Sequence, residues 1–239
     1  MSVPQLTFDS STIWTKICGV RDPEQAAAVA AAKPSAIGLN FFPGSVRYVS
    51  DEAAHRIVGV LPDAVSTIGV FVNEPLREVI RRVDEIGLDG VQFHGDEPPE
   101  LLADFQRRCP TTLLLRAFRY GPTGLVPISD YLSECDRLGV KLSGCLLDAH
   151  SASAYGGTGT PLPWEELRRA LAQAVLPPVI LAGGLRPENV TTALESVRPQ
   201  GLDVASGVES SPGVKDPQLV AELLRRVREW SAAANRNEA

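Results

Sequence analysis

Two side chains of this 239-residue chain are suited to exchanging protons with a ligand: the thiol of Cys18, in TKICG at 15, and the carboxyl of Asp148, in CLLDAHSASAYGGTGTPLPW at 145. A thiol of ordinary pKa, about 8.5, is a usable base near neutrality once its thiolate is favoured, and a partly desolvated carboxyl can keep a proton to donate. Each also has a plainer reading, the Cys as a small packed residue and the Asp as a cap for the following loop. The pair gains weight from two Gly-rich segments, AGGLRPENV at 182 and ASGVESSPGVKD at 205. Glycine lets backbone N–H groups converge, and a helix N-terminus adds partial positive charge, so such loops can grip a phosphate without Lys or Arg.

The elements that must position these groups alternate. Short apolar runs recur at IWTKIC (13), AIGLNFF (36), STIGVFV (66), GVQFH (90), TTLLLRAF (111), GCLLDA (144), PVILAG (178) and LDVAS (202). Between them lie helix-like segments such as DPEQAAAVAAAK, EPLREVIRRVDEIG, EPPELLADFQRRC, PWEELRRALAQAV and RPENVTTALESV, with acidic residues and Pro in the first turn. Strict β-then-α alternation implies parallel pairing, and eight units match a single (β/α)₈ TIM barrel, an α/β fold, with a phosphate site at strands 7 and 8. An open doubly wound sheet needs GxGxxG or GxxxxGK[ST] after its first strand, whereas GVRDPEQ follows IWTKIC here. The expected organisation is a tail over 1–12, a barrel over 13–232 and a C-terminal tail over 233–239.

In this fold chemistry gathers at the C-terminal strand ends. The residues expected there are Cys18, Asn40, Asn73, His94, Phe118, Asp148, Gly183 and Ser206, with Arg47 soon after the second strand. Period 2 puts Lys16 on the face of Cys18, Gln92 on that of His94, and Arg116 on that of Phe118. Lys16 inside a barrel demands a partner. The first and last strands become neighbours on closure, so Asp203 is the expected one, and the residual field of Lys16 would favour a Cys18 thiolate. The rival reading has Lys16 among the helices with its ammonium reaching solvent. Arg47 could clamp a carboxylate with its planar fork or be an ordinary solvated loop arginine. His94 is read equally as a ligand contact or as a satisfied loop residue, and His150 is near enough to Asp148 to touch its site.

Composition bounds the partners. A formal charge of -6 argues against an extended nucleic-acid or anionic-membrane surface, and every apolar run is cut by Gly, Pro or a charge before bilayer length. The four cysteines, Cys18, Cys109, Cys135 and Cys145, form no CxxC pair, which disfavours zinc and fits a reducing cytoplasm. The expected partner is a phosphorylated small molecule, with no nucleic acid, no membrane, no metal and no cofactor, in a monomer or homodimer.

TKICG, FFPGSVRYVS at 41, GVFVNEP at 69, VQFHGDE at 91, LLDAHSASAYGGTG at 146, LAGGLRPENV at 181 and DVASGVESSPGVKD at 203 together resemble phosphoribosylanthranilate isomerases of tryptophan biosynthesis, in order over residues 15 to about 220. The resemblance implies a cofactor-free Amadori rearrangement in a (β/α)₈ barrel. It makes Cys18 the general base, Asp148 the general acid, Arg47 the ligand of the anthranilate carboxylate, and Gly183, Gly184, Ser206 and Gly207 the phosphate grip. His94, Gln92, Lys16 and Asp203 complete the expected pocket, and SASAYGGTG is expected to act as a lid. One departure is Pro163, where the family usually carries Asp before Trp. Two alternatives stay open: a dual-specific isomerase that also serves histidine biosynthesis, and a barrel that binds a phosphate ligand without catalysis.

Overall fold

A computed structural model of the chain describes residue 6 and residues 12–121, 123–148 and 164–238. Eight parallel strands close into a barrel in chain order: β1 (Trp14–Cys18), β2 (Ala36–Asn40), β3 (Ser66–Phe71), β4 (Gly90–Phe93), β5 (Leu113–Arg119), β6 (Gly144–Asp148), β7 (Val179–Ala182) and β8 (Gly201–Val204). The helices between and after them are α1 (Pro23–Ala31), α2 (Asp51–Val58), α3 (Leu76–Ile86), α4 (Pro99–Arg108), α5 (Val126–Arg137), α6 (Trp164–Leu171), α7 (Val190–Val197) and α8 (Pro217–Glu238). No helix is long and apolar enough to cross a membrane among the described residues.

Local chemistry sets the helix ends. The Asp22 carboxylate accepts from the Gln25 N–H at 2.8 Å to start α1, and the Ser50 hydroxyl accepts from Ala53 N–H to start α2. Val79, Val83 and Ile86 give α3 an apolar stripe that is buried against the sheet. The strands are buried on both faces, as their near-continuous apolar runs require.

Two apolar cores result. The larger lies between sheet and helices. The smaller contains Trp14, Ala36, Ile68, Leu115, Ala117, Leu146, Ile180 and Ala182, which alternate along their strands with residues of the outer core and so fill the barrel itself. Leu6, expected in a loose N-terminal tail, is buried with this inner core. The expected boundary at 232 falls inside α8, which continues to Glu238 because the amphipathic pattern of its first turns carries helix-forming Ala, Arg and Glu beyond it.

Register decides which side chains meet above the inner core. Closure pairs Lys16 with Asp203 across β1 and β8, and Arg119 with Asp148 across β5 and β6. After β8 the chain makes a single 3₁₀ turn (Ser206–Val208), then a small antiparallel hairpin of β9 (Glu209–Ser211) and β10 (Val214–Lys215), before α8. From sequence, this segment is expected to run from its strand through Gly into a region that can start a helix. The Pro212–Gly213 pair turns the chain instead, with Gly213 at φ 79.

Candidate active site

A cavity of about 750 Å³ opens at the C-terminal ends of the strands. Its wall includes Cys18, Arg47, Gln92, His94, Asp148, Gly183, Gly184, Asp203, Ser206 and Gly207. Of the eleven residues expected to make up the catalytic, carboxylate, phosphate and pocket set, ten therefore share one space. Lys16 is the exception: it lies fully buried beneath the wall, one inward position below Cys18 on β1.

The floor is electrostatic. Lys16 Nζ stands 2.8 Å from Asp203 Oδ1, with the lysine 0% and the aspartate 9% exposed. Burial works against the ammonium, yet Asp203 and Cys18 outweigh it and hold the Lys16 pKa above the ordinary lysine range. Gly38 on β2 makes room for this meeting: a Cβ there would lie 2.8 Å from Cys18 Sγ and 2.9 Å from Lys16 Nζ. Thiol and ammonium thus converge on one point. The field of Lys16 draws the Cys18 pKa down, but burial is the larger influence and the net direction is upward.

That direction has a kinetic consequence. If Cys18 is the base, its thiolate is a minority form at neutral pH and grows as pH rises toward the raised pKa. The kcat/KM, which reports the free enzyme, is expected to climb by about tenfold per pH unit from pH ~7 to ~9. A flat pH profile over that interval would show that no high-pKa base limits the reaction.

On β4, Gln92 Nε2 lies 3.0 Å from His94 Nδ1. The contact ties the ring to its neighbour on the inward face of the same strand. Burial lowers the His94 pKa, against the opposing pull of Asp148 and Asp203, so the ring is neutral at physiological pH. Asp148, last residue of β6, presents its carboxyl to the same cavity as Cys18.

The two glycine segments follow β7 and β8, the neighbours of β6 and β1, and line the same cavity. Gly183 (φ 96) and Gly184 (φ 64) adopt left-handed backbone that other residues enter at a cost. Gly207 has a different reason: a Cβ there would sit 1.8 Å from the Leu185 carbonyl oxygen. Only glycine lets the β8 loop approach the β7 loop so closely. Asn189 pins the β7 loop by donating to the Gly184 carbonyl and accepting from the Arg186 N–H.

Three sequence expectations change. Phe118 points outward, edge-on to Tyr131 of α5 at 5.2 Å between ring centroids, because Ala117 and Arg119 are the inward residues of β5; Arg119 lines the cavity in its place. Arg116 shares that outward face and braces the β4 loop, donating to the carbonyls of Phe93 and Gly95. Asn73 does not reach the cavity wall: at φ 53 its backbone N–H donates to Glu97, and its side-chain oxygen accepts from Asp96 N–H. Arg47 departs from the solvated alternative: its side chain is 21% exposed and one edge of its guanidinium forks onto Glu209. His150, Pro163 and the expected lid over 151–159 lie outside the described residues.

Among the described residues, no group of three or more His, Cys, Asp or Glu side chains is arranged to hold a metal ion. What the cavity holds is a thiol, a carboxyl, an imidazole, a fixed arginine and close-packed glycine loops, all at the C-terminal strand ends where (β/α)₈-barrel enzymes carry their active sites. The family model for N-(5'-phosphoribosyl)anthranilate (PRA) isomerase matches residues 15–226, and the chain belongs to that family of isomerases. It is 42% identical over 221 residues to the N-(5'-phosphoribosyl)anthranilate isomerase of Trichlorobacter lovleyi, covering 91% of this chain and 98% of that protein. Its fold matches the crystal structure of phosphoribosyl anthranilate isomerase from Thermotoga maritima with a TM-score of 0.78 at 32% identity, over 91% of this chain and all of that one. It also matches a phosphoribosyl anthranilate isomerase in complex with reduced 1-(o-carboxyphenylamino)-1-deoxyribulose 5-phosphate, with a TM-score of 0.73 at 30% identity, over 91% and 100% of the two chains.

Proposed function

We propose that this chain converts N-(5-phosphoribosyl)anthranilate to 1-(2-carboxyphenylamino)-1-deoxyribulose 5-phosphate, as a step of tryptophan biosynthesis, with Asp148 as general acid and Cys18 as general base. Asp148 protonates the ribose ring oxygen, the C1–O bond breaks, and the anilino nitrogen lone pair forms the iminium. The Cys18 thiolate then removes the proton from C2, giving an enol amine that tautomerises to the ketone. Both chemical steps are driven by proton transfer to or from a side chain, with the anilino lone pair supplying the electrons for ring opening, so the scheme uses no metal and no organic cofactor.

The observation that carries this reading is the common cavity: the thiol of β1 and the carboxyl of β6 line one space together with Arg47 and the Gly183, Gly184, Ser206, Gly207 loops. We assign the phosphate to those loops, where Gly207 alone permits the close approach, and the carboxylate to Arg47. His94, which lines the same cavity, is assigned a hydrogen bond to the substrate. Asp203, partnered with Lys16, completes the floor beneath it.

The partner is then a phosphorylated small molecule in the cytoplasm, met by a monomer or a homodimer; a Thermotoga maritima relative is dimeric. Loss of the anthranilate adduct's fluorescence on adding purified protein tests the activity, with the histidine-pathway aminoaldose phosphate alongside. Turnover of the first substrate is expected. Tight binding without turnover would make the chain a phosphate-ligand binder, and turnover of both would make it dual-specific.

A further inference from the structure

The residue that decides what Arg47 can do is one that sequence reasoning passed over. Glu209 opens the hairpin after β8 and is 4% exposed, whereas Arg47 is 21% exposed. The Glu209 carboxylate accepts from Arg47 Nε at 2.7 Å, from Arg47 Nη2 at 2.8 Å, and from Lys215 Nζ at 2.6 Å. Lys215 is fully buried and also donates to the Ala205 carbonyl at 3.0 Å, directly before Ser206 and Gly207. Below, the Arg47 side chain crosses Gly19: a Cβ on Gly19 would meet Arg47 Cδ at 2.4 Å.

These contacts leave a specific remainder. A guanidinium has five N–H donors, and the side edge formed by Nε and Nη2 is spent on Glu209. Among the described residues no hydrogen bond takes the terminal edge, formed by Nη1 and the second Nη2 hydrogen, and it is left for the cavity that Arg47 lines. Charge follows the same division. Glu209 alone would neutralise Arg47, but Lys215, whose pKa burial lowers against the opposing pull of Glu209, supplies a second cation while protonated, and the buried trio then carries a net charge of plus one. A planar carboxylate set against the terminal edge would balance it bidentately.

We propose that Glu209 is the positioning residue that gives this site its requirement for a carboxylate beside the reacting amine, with Lys215 keeping Arg47 electrically available. The assignment deepens the isomerase reading and rests on it for the identity of the substrate. Glu209 acts through Arg47 and touches none of the reacting atoms.

The test compares two substrates, the anthranilate adduct and the aniline adduct lacking the carboxyl. In parallel, the reduced product analogue with and without its carboxyl is titrated calorimetrically, which needs no turnover. In the Glu209→Gln variant the preference for the carboxylated member of each pair is expected to fall about 10- to 100-fold, the scale of one or two charge-assisted hydrogen bonds, in KM and Kd rather than kcat. Arg47→Ala combined with Glu209→Gln is expected to lose no more preference than Arg47→Ala alone, since the two act as a unit. If Glu209→Gln weakens both members equally, Glu209 merely holds the hairpin and the proposal is wrong. Tighter binding of the carboxylated analogue would overturn it in another way, making Glu209 a stand-in that substrate displaces. Should Glu209→Gln fail to fold, Lys215→Met decides: Glu209 then neutralises Arg47 and the preference falls, or it is unchanged and the proposal fails. A wild-type protein that binds the carboxylated analogue selectively but turns over neither substrate would sink the isomerase reading while leaving the role of Glu209 standing.

Discussion

Asp148→Asn is expected to lower kcat by about 10³-fold while leaving the fold and the phosphate affinity close to those of the parent. The amide has the shape of the carboxyl, so the β6 end and its pairing with Ala182 and Arg119 are kept, and what is removed is the transferable proton. Ring opening then proceeds with the ribose oxygen leaving unprotonated. Cys18→Ala is expected to cost about 10²- to 10⁴-fold at the next step, because removal of the C2 proton has no substitute base at that position. The cost of the pair together should fall well short of the product of the two, as happens when groups act in one sequence of proton transfers. Stopped assays of kcat and KM beside thermal melts check all three variants. Near-parental turnover in Asp148→Asn would move the acid elsewhere, and Arg119, its cross-strand neighbour on β5, cannot take the role because a guanidinium does not give up its proton in this pH range.

Much of this arrangement is written locally. The eight apolar runs, each followed by an amphipathic segment with Pro or an acidic residue in its first turn, dictate a βα alternation whose closure was legible before any contact was known. From that closure followed the Lys16–Asp203 pair, because β1 and β8 can be neighbours only in a barrel and the two residues sit at matching depth. Period 2 placed Cys18 and His94 inward correctly. It failed on β5, where the apolar run TTLLLRAF looks the same in either phase. The phase is set by which residues fit the inner core, Leu115 and Ala117, and this is tertiary information. Asn73 misled for a related reason: strand ends in this fold carry both ligand contacts and loop stitches, and only the positions of Glu97 and Gly95 show that Asn73 belongs to the second kind.

Glu209 illustrates a different limit. It stands 162 residues from Arg47, and no periodicity links them. The signal was present as an acidic residue inside SGVESSPGVKD, but a phosphate grip gives no reason to want a carboxylate. The reason appears once Arg47 and Lys215 are seen to share one buried corner, where two cations without an anion would be costly. The field at Cys18 was likewise half legible: the sign of the Lys16 contribution follows from adjacency, whereas burial outweighing it depends on how completely the floor is sealed.

The floor offers the largest expected effect on stability. Lys16→Met leaves the Asp203 carboxylate, 9% exposed, without the cation 2.8 Å away, and an apolar chain in place of the ammonium cannot compensate it. Removing one partner of a buried pair costs about 3–5 kcal/mol, which in a chain of this size lowers Tm by about 2–4 °C for each kcal/mol. Lys16→Met with Asp203→Asn is expected to recover most of that loss, since no uncompensated charge then remains in the barrel. The pH dependence fixes the mechanism. The folded-state pKa of Lys16 is raised, so the contribution of the pair is complete below the unfolded lysine value of about 10.4 and is lost only as pH climbs through the raised value. Parent and Lys16→Met should therefore differ by a constant amount from pH ~6 to ~9 in denaturant unfolding, and converge at higher pH. A gap that instead opened or closed near neutrality would place the cost on another titrating group, and equal stabilities throughout would mean that the ammonium gains nothing from Asp203 that water does not already supply.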